Sequence, residues 1–354
     1  VLLISQPAEP LRFHATPDGR DVIARLPADF AGKLPKGRLT QEQGQAILSV
    51  GLIDDESKKL GPAMLGKYER QDNELTFTPR FKLGAGQNYR ATLTIDGKIV
   101  TLDYRMPMAA AKSPPKVVKI YPTGDVLPAN HLKFYIYFDR PMRGGKELFK
   151  KIVLVDDKGK EIDDPWLIDE IWDEDNNCLI IFIHPGRIKW GVELRELLGP
   201  VLFEKRNYSL VVRGELTDLD GNKIGKDVVK KFRTTAEDRA RIDLSKWALQ
   251  PVKADTKDRL TLTLPKSIDH RSMQRFLSVL DHKGKSVDGT IEIGKDELTW
   301  HFTPKANWQA RAYILNIDGD LEDVAGNTPV KAFDHDLKAP KQTPQKLRLE
   351  FQPR

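Results

Sequence analysis

Asp296-Glu297-Leu298-Thr299-Trp300-His301-Phe302-Thr303-Pro304 reads as an acidic turn, a strand rich in apolar and β-branched residues, and a proline that ends it. The same pattern occurs twice more, as Asn73-Glu74-Leu75-Thr76-Phe77-Thr78-Pro79 and as Asn177-Cys178-Leu179-Ile180-Ile181-Phe182-Ile183-His184-Pro185. Downstream of each copy a tyrosine sits in a further strand: Tyr89, Tyr208 and Tyr313. Upstream, a strand runs into a proline-bearing turn over residues 22–27, 132–141 and 260–265. Between these lies Asp156-Asp157-Lys158-Gly159-Lys160 in one copy and Asp281-His282-Lys283-Gly284-Lys285 in another. The first copy has Asp54-Asp55-Glu56-Ser57-Lys58-Lys59 there. Four landmarks in constant order mark a duplication, and the spacing predicts three tandem modules of roughly a hundred residues.

Each module reads as about seven short strands with turn signals every 8–12 residues, which predicts an antiparallel β-sandwich. Alternation agrees. In Leu132-Lys133-Phe134-Tyr135-Ile136-Tyr137-Phe138 one face is apolar, and the other, Lys133 with two tyrosines, is expected to meet solvent. In Leu260-Thr261-Leu262-Thr263-Leu264 the faces are all leucine and all threonine. The expected domains are 1–110, 115–236 with a loop insert at 186–200, and 240–337, followed by a basic tail over 338–354. Linkers fall at 109–115 and near 235–246, the second carrying Glu237, Asp238, Arg239 and Arg241.

Composition narrows the function classes. No apolar run approaches the ~18 residues of a membrane span, so no transmembrane segment is expected. A single cysteine forms no internal disulfide, and no Cys/His zinc spacing occurs. The net charge of +6 is small for 354 residues, and much of it lies in the tail, where Lys338, Lys341, Lys346, Arg348 and Arg354 face Glu350 alone. No RNP-like, helix-turn-helix or zinc-finger pattern occurs, so no nucleic-acid partner is expected. The chain opens Val-Leu-Leu-Ile-Ser-Gln-Pro without Met; the end of a signal-peptide core and a first strand are both open readings.

The middle module carries a family resemblance. Pro115-Lys116-Val117-Val118-Lys119-Ile120-Tyr121-Pro122-Thr123-Gly124 leads into Phe138-Asp139-Arg140-Pro141-Met142, then Asp218-Leu219-Asp220-Gly221-Asn222, then Phe232-Arg233-Thr234. This resembles the bacterial immunoglobulin-like (Ig-like) domain of surface-layer and other exported proteins, with its F-S/D-x-P-M strand end, D-x-x-G-N turn and closing F-x-T strand. The third module keeps Asp323-Val324-Ala325-Gly326-Asn327 and Phe333, while the first has only Asp96-Gly97-Lys98. The resemblance implies an all-β chain of three tandem Ig-like antiparallel β-sandwich domains. It also implies export, to the periplasm, cell surface or medium, and a scaffolding or adhesive role with no catalytic residues.

Candidate sites come from where the modules differ. Leu179 and Tyr208 stand much further apart than the equivalent residues of the other copies, because of the insert. Within it Val192, Leu194, Leu197 and Leu198 have helical spacing before Gly199-Pro200 stops the run. Two readings stand. The insert either packs on the core or on a neighbouring module, or it presents Arg187, Lys189, Trp190 and Arg195 to an acidic or saccharide partner, such as a cell-wall glycan or envelope protein. On the second reading, deleting 188–198 spares folding.

Calcium is the one cofactor the acidic segments suggest. Asp163, Asp164, Asp169, Glu170, Asp173, Glu174 and Asp175 crowd oxygens together, without the order of an EF-hand, and alternating Trp166, Ile168 and Ile171 suits a hairpin whose acids face water. Asp218, Asp220 and Asn222, with Asp323 and Asn327, could hold an ion, although Asx turns account for both loops without one.

No GxSxG elbow, HExxH helix, P-loop or Rossmann fingerprint occurs, and the pairs Asp269-His270, Asp281-His282 and Asp334-His335-Asp336 read as turn and strand-end residues. Trp300, Trp308 and Cys178 are expected in cores. The expected function is therefore a non-enzymatic structural or adhesive module at the cell envelope. The alternative is a carbohydrate- or cell-wall-binding accessory using the insert; a hydrolase with a site between domains ranks behind both.

Overall fold

The computed structural model describes residues 10–16, 19–54, 57–107, 113–145, 147–334 and 347–354. The opening residues, most of the 109–115 linker, Asp55, Glu56, His335, Asp336, Lys338, Lys341 and Lys346 lie outside them. The chain is all-β, and among the described residues its strands form six sheets. Contacts group it into two compact units, residues 1–113 with 217–222, and 114–216 with 223–354.

The first unit holds one sandwich. Its strands are β1 (Leu11–Thr16), β2 (Gly19–Arg25), β3 (Gly37–Leu39), β4 (Leu48–Ile53), β5 (Leu60–Ala63), β6 (Gly66–Gln71), β7 (Glu74–Pro79), β8 (Asn88–Ile95) and β9 (Lys98–Arg105). They pair as β1-β2-β7-β6-β3 and β5-β4-β8-β9 around Val22, Leu48, Leu75 and Phe77, all without exposed surface. Two short helices, α1 (Ala28–Ala31) and α2 (Gln41–Ile47), connect them. Thr40 and Gln43 close α2 with a capping box, satisfying two otherwise orphaned N–H groups.

The second unit holds two sandwiches. One comprises β10 (Val117–Tyr121), β11 (Val126–Pro128), β12 (Lys133–Phe138), β13 (Ile152–Asp156), β14 (Ile171–Trp172), β15 (Cys178–Phe182), β16 (Asn207–Val212) and β17 (Val228–Thr235). Its sheets are β10-β12-β15-β14 and β11-β17-β16-β13. The other comprises β18 (Ala248–Leu249), β19 (Leu260–Thr263), β20 (Leu277–Asp281), β21 (Gly289–Ile293), β22 (Thr299–Pro304), β23 (Tyr313–Ile317) and β24 (Arg348–Phe351), paired as β18-β19-β22-β21 and β20-β23-β24. In seven-strand terms the first, second, fifth and fourth strands share one sheet, and the third, sixth and seventh the other. That is the immunoglobulin arrangement. Each sandwich has its own buried cluster. Among the described residues no helix is long and apolar enough to cross a membrane.

The recurring landmarks fall on equivalent strands. The repeated motif is β7, β15 and β22, and the turn before each contains a left-handed residue: Asp72 (φ 49°), Asn176 (φ 54°) and Asp296 (φ 59°). Acidic and amide side chains tolerate that region best among residues with a Cβ. The three tyrosines form one device: Gly84 N–H donates to Tyr89 Oη at 2.7 Å, Phe203 N–H to Tyr208 Oη at 2.9 Å and Gln309 N–H to Tyr313 Oη at 3.1 Å. Each ring is buried while its hydroxyl ties down the loop entering the strand.

Two expectations change. The stretch expected as a basic tail is in part a strand: β24 pairs antiparallel with β23, Tyr313 opposite Phe351 and Leu315 opposite Leu349, and completes the last sandwich. The acidic segment 163–175 is not a regular hairpin, because only Ile171 and Trp172 pair as a strand, Trp166 is buried, and Ile168 is exposed. Replacing Tyr208 by phenylalanine leaves the Phe203 N–H unmatched. Urea unfolding is expected to show a loss of about 1–3 kcal/mol with native secondary structure retained.

Candidate functional site

The polar face of β12, expected to meet solvent, is covered by the last sandwich. Tyr135 is 3% exposed, and its hydroxyl donates to both carboxylate oxygens of Asp269 at 2.9 Å. Asp269 is held there as the cap of α5 (His270–Phe276), accepting the Ser272 N–H at 2.9 Å. Lys133 Nζ meets Glu322 at 2.5 Å and stands 3.8 Å from Asp269. The Arg271 guanidinium lies 5.6 Å from the ring centres of both Tyr135 and Tyr137, donates to Tyr137 Oη at 3.1 Å and reaches Asp173 at 3.3 Å. Tyr121 stacks on the His270 imidazole with centroids 3.5 Å apart. Burial, reinforced by Asp269, pushes the Tyr135 phenol far above its ordinary value, so it stays a donor.

Glu297 forms a second contact. It has no exposed surface, and its carboxylate accepts the Thr123 N–H and hydroxyl, each at 2.9 Å. The same hydroxyl accepts the Asp296 N–H at 2.9 Å. Glu297 (φ 55°) follows Asp296 in the left-handed region, a conformation that costs about 1–2 kcal/mol per residue. Burial pushes the Glu297 carboxyl up, and the Thr123 donors pull it back. Lys230 closes this end by donating to the Thr123 and Gly124 carbonyls at 3.3 and 2.9 Å.

The linker near 235–246 is part of the joint rather than a spacer. Asn130 and Asp238 exchange hydrogen bonds of 2.8 Å in both directions, and Asn327 Nδ2 also donates to the Asp238 carbonyl at 2.9 Å. Lys266 bridges Asp238 and Asp323 at 2.7 and 2.6 Å. The second D-x-x-G-N turn is buried against the middle sandwich: the Leu132 N–H donates to Val324 O at 2.9 Å, and a Cβ on Gly326 (φ 81°) would meet Leu132 at 2.7 Å. Only glycine suits both constraints.

The insert folds as α3 (Pro185–Ile188) and α4 (Glu193–Leu198), the latter stopped at Gly199 as the apolar spacing predicts. Of its four candidate residues, Arg187 is not a surface group. It is 6% exposed and spends its guanidinium on the carbonyls of Gly199, Asp163, Asp164, Leu198 and Pro200, because a buried cation must satisfy every donor. Arg195 donates to Arg187 O and Ile188 O and pairs with Glu237 at 2.7 Å. Lys189 stands 4.6 Å above the Phe333 ring. Trp190 is 65% exposed, with the Arg195 and Arg239 guanidinium carbons 5.3 and 5.2 Å from its ring centre. Its backbone N–H donates to Asp334, which also pairs with Arg239, and its indole N–H donates to Glu237 at 3.3 Å. The insert therefore ties its own sandwich to the linker and to the last one. Ile188 belongs to the core, so deleting 188–198 opens that core instead of sparing it.

The proposed calcium residues lie in two separate loops. Asp218 accepts the Asn222 N–H at 2.8 Å and the Asn222 amide at 3.0 Å. Asp323 accepts the Ala325 and Asn327 N–H groups at 2.9 Å, with the Lys266 ammonium on its other oxygen. Asp220 and the rest of these loops bring no third carboxylate inward: among the described residues no group of three or more His, Cys, Asp or Glu converges. Asp281 accepts the N–H groups of Lys283 and Lys285 in its own turn. Trp300, Trp308 and Cys178 are buried, and burial pushes the Cys178 thiol up to about 11.

No family model matches the chain, and no curated protein matches it. Among solved structures, the MG0-NIE-MG1 domains of Escherichia coli alpha-2-macroglobulin align over 69% of this chain and 72% of that one, at 11% identity and a TM-score of 0.24. An I-band fragment of titin aligns over 77% and 84%, at 10% identity and a TM-score of 0.19. Scores this low carry no argument, and the Ig-like assignment rests on the sheet orders.

The joint also has a pH signature. Burial holds His131 down to about 3 and His270 to about 4, so both are neutral in the folded chain and take up protons on unfolding. Stability falls as pH drops below about 6.5, by about 2 kcal/mol per histidine at pH 5. In urea unfolding at pH 7 and pH 5, His131→Leu is expected to lose that much less than wild type; equal losses would refute the assignment.

Proposed function

We propose that the protein is a non-enzymatic structural or adhesive module of the bacterial cell envelope, exported, whose second unit presents two Ig-like sandwiches at a fixed mutual orientation. The observation that carries this is the closed joint. Glu297, Tyr135, Asp269 and Asp323 are buried there, each paired with a donor or acceptor across it or beside it. Directional buried bonds define a single geometry, and breaking one partner of a buried pair costs about 3–5 kcal/mol. ¹⁵N relaxation is expected to report one rotational correlation time for both sandwiches in the wild type. Separate, shorter times and a lower melting temperature are expected in the Glu297→Ala/Lys266→Ala double variant. Two times in the wild type would sink the proposal, and recovery of the native protein from the cytosol would count against export.

Trp190 favours a second reading, a carbohydrate- or cell-wall-binding accessory, since an exposed indole beside two guanidiniums suits a saccharide face or an acidic group. On that reading Trp190→Ala abolishes co-sedimentation with peptidoglycan while melting is unchanged. Co-sedimentation that persists rejects it.

A further inference from the structure

A groove of about 940 Å³ runs along the middle sandwich from the outer edge of β10 across the first half of β17 to Asn207–Ser209 and the Asp156–Asp157 turn. Two of its walls are strand edges. β10 is outermost in its sheet, and β11 covers β17 only at 233–235, so residues 228–232 have β16 on one side and, among the described residues, no strand on the other. Backbone alternation settles which groups face the gap. Arg233 N–H donates outward to Asp125 O at 2.8 Å and Thr234 N–H donates to Arg206 O on the β16 side at 2.9 Å, so the peptide groups of Lys231 and Val229 face the groove.

The chemistry alternates as well. Val117, Ile120 and Val228 pack against the core and line the groove floor, while Lys231 and Arg233 are exposed on the outer face of β17; Lys119, opposite Tyr137, belongs to the joint face of β10. The groove's acids are committed elsewhere: Asp125 pairs with Lys230 at 3.7 Å, Asp157 with Arg206 at 3.4 Å, and Asp156 accepts the Lys158 and Lys160 N–H groups. Neither Lys231 nor Arg233 is in an ion pair among the described residues. A register shift between Val117 and Lys119 makes β10 a poor template, which leaves β17 as the usable edge.

We propose that this groove binds an extended segment of a partner protein, in which apolar and acidic residues alternate, as an added strand on β17. Successive side chains of a strand point to opposite faces, so one set lies on the apolar floor while the other meets Lys231 and Arg233. Backbone hydrogen bonds to Val229 and Lys231 hold the segment. This site adjoins the joint at Thr123 and Lys230 but uses neither, lies away from Trp190, and does not depend on the function proposed for them.

The test uses the full chain and a fluorescein-labelled seven-residue peptide alternating valine and glutamate. Saturable anisotropy is expected, weakened about tenfold or more when lysine replaces glutamate or when the peptide amides are N-methylated. Lys231→Glu/Arg233→Glu is expected to lose binding at unchanged melting temperature. Val229→Pro removes one groove-facing N–H and is expected to do the same, with the charge variant deciding if the proline variant fails to fold. Full binding of the N-methylated peptide would make the groove a general anion surface and overturn the proposal. So would dimerisation on sedimentation that the charge variant abolishes, which would make the occupant a second copy. Absence of saturation would leave the cations as guards against edge pairing and equally overturn it.

Discussion

Glu297 has no contact with water, and the donors its carboxylate accepts belong to the other sandwich of its unit, at Thr123. A buried anion without donors would cost several kcal/mol, so this glutamate is tolerable only while the two sandwiches are seated together. Its backbone reinforces the point. Asp296 and Glu297 both take the left-handed conformation, and the Asp296 N–H and the Glu297 side chain converge on one threonine. Hydrophobic contact alone would allow sliding, whereas a few directional bonds out of water allow one register.

The middle sandwich serves three surfaces with one set of strands. On β12, Phe134, Ile136 and Phe138 fill the core while Lys133, Tyr135 and Tyr137 build the joint. On β17, Phe232 packs inward, Lys230 seals the joint beside Thr123, and Val229 and Lys231 border the open groove. A strand has only two faces: on β12 residue parity alone separates packing from coupling, and on β17 it separates the inward Lys230 and Phe232 from Val229 and Lys231, whose peptide groups face the groove. A one-residue slip in β17 would disturb packing, coupling and groove together.

The architecture was legible because the three sandwiches share landmarks with a physical cause: left-handed acidic or amide turns, alternating strands, and tyrosines whose hydroxyls anchor loops. Trp300 and Trp308 could be placed in the core by comparing copies. The joint was not legible. Alternation marks Tyr135 and Tyr137 as the second face of a strand, but cannot tell water from another domain as what covers it. Glu237, Asp238 and Arg239 have the composition of a solvated linker, and their partners, Arg195, Asn130 and Asp334, lie far away in sequence. Arg187 misled for the same reason, since a guanidinium bound to five carbonyls has no sequence signature. The closing strand was obscured by the basic residues around Leu349 and Phe351, its two inward-facing groups.

The parallel pairing of β11 with β17 joins an early strand of the middle sandwich to its last one, through Arg233 N–H to Asp125 and Ala129 N–H to Thr235. Tension entering at the front of that sandwich and leaving at its back would drag these strands lengthwise past each other. The bonds between them would then share the load at once, instead of opening one after another as in a peeled hairpin. A chain wired this way resists stretching most where its own ends meet.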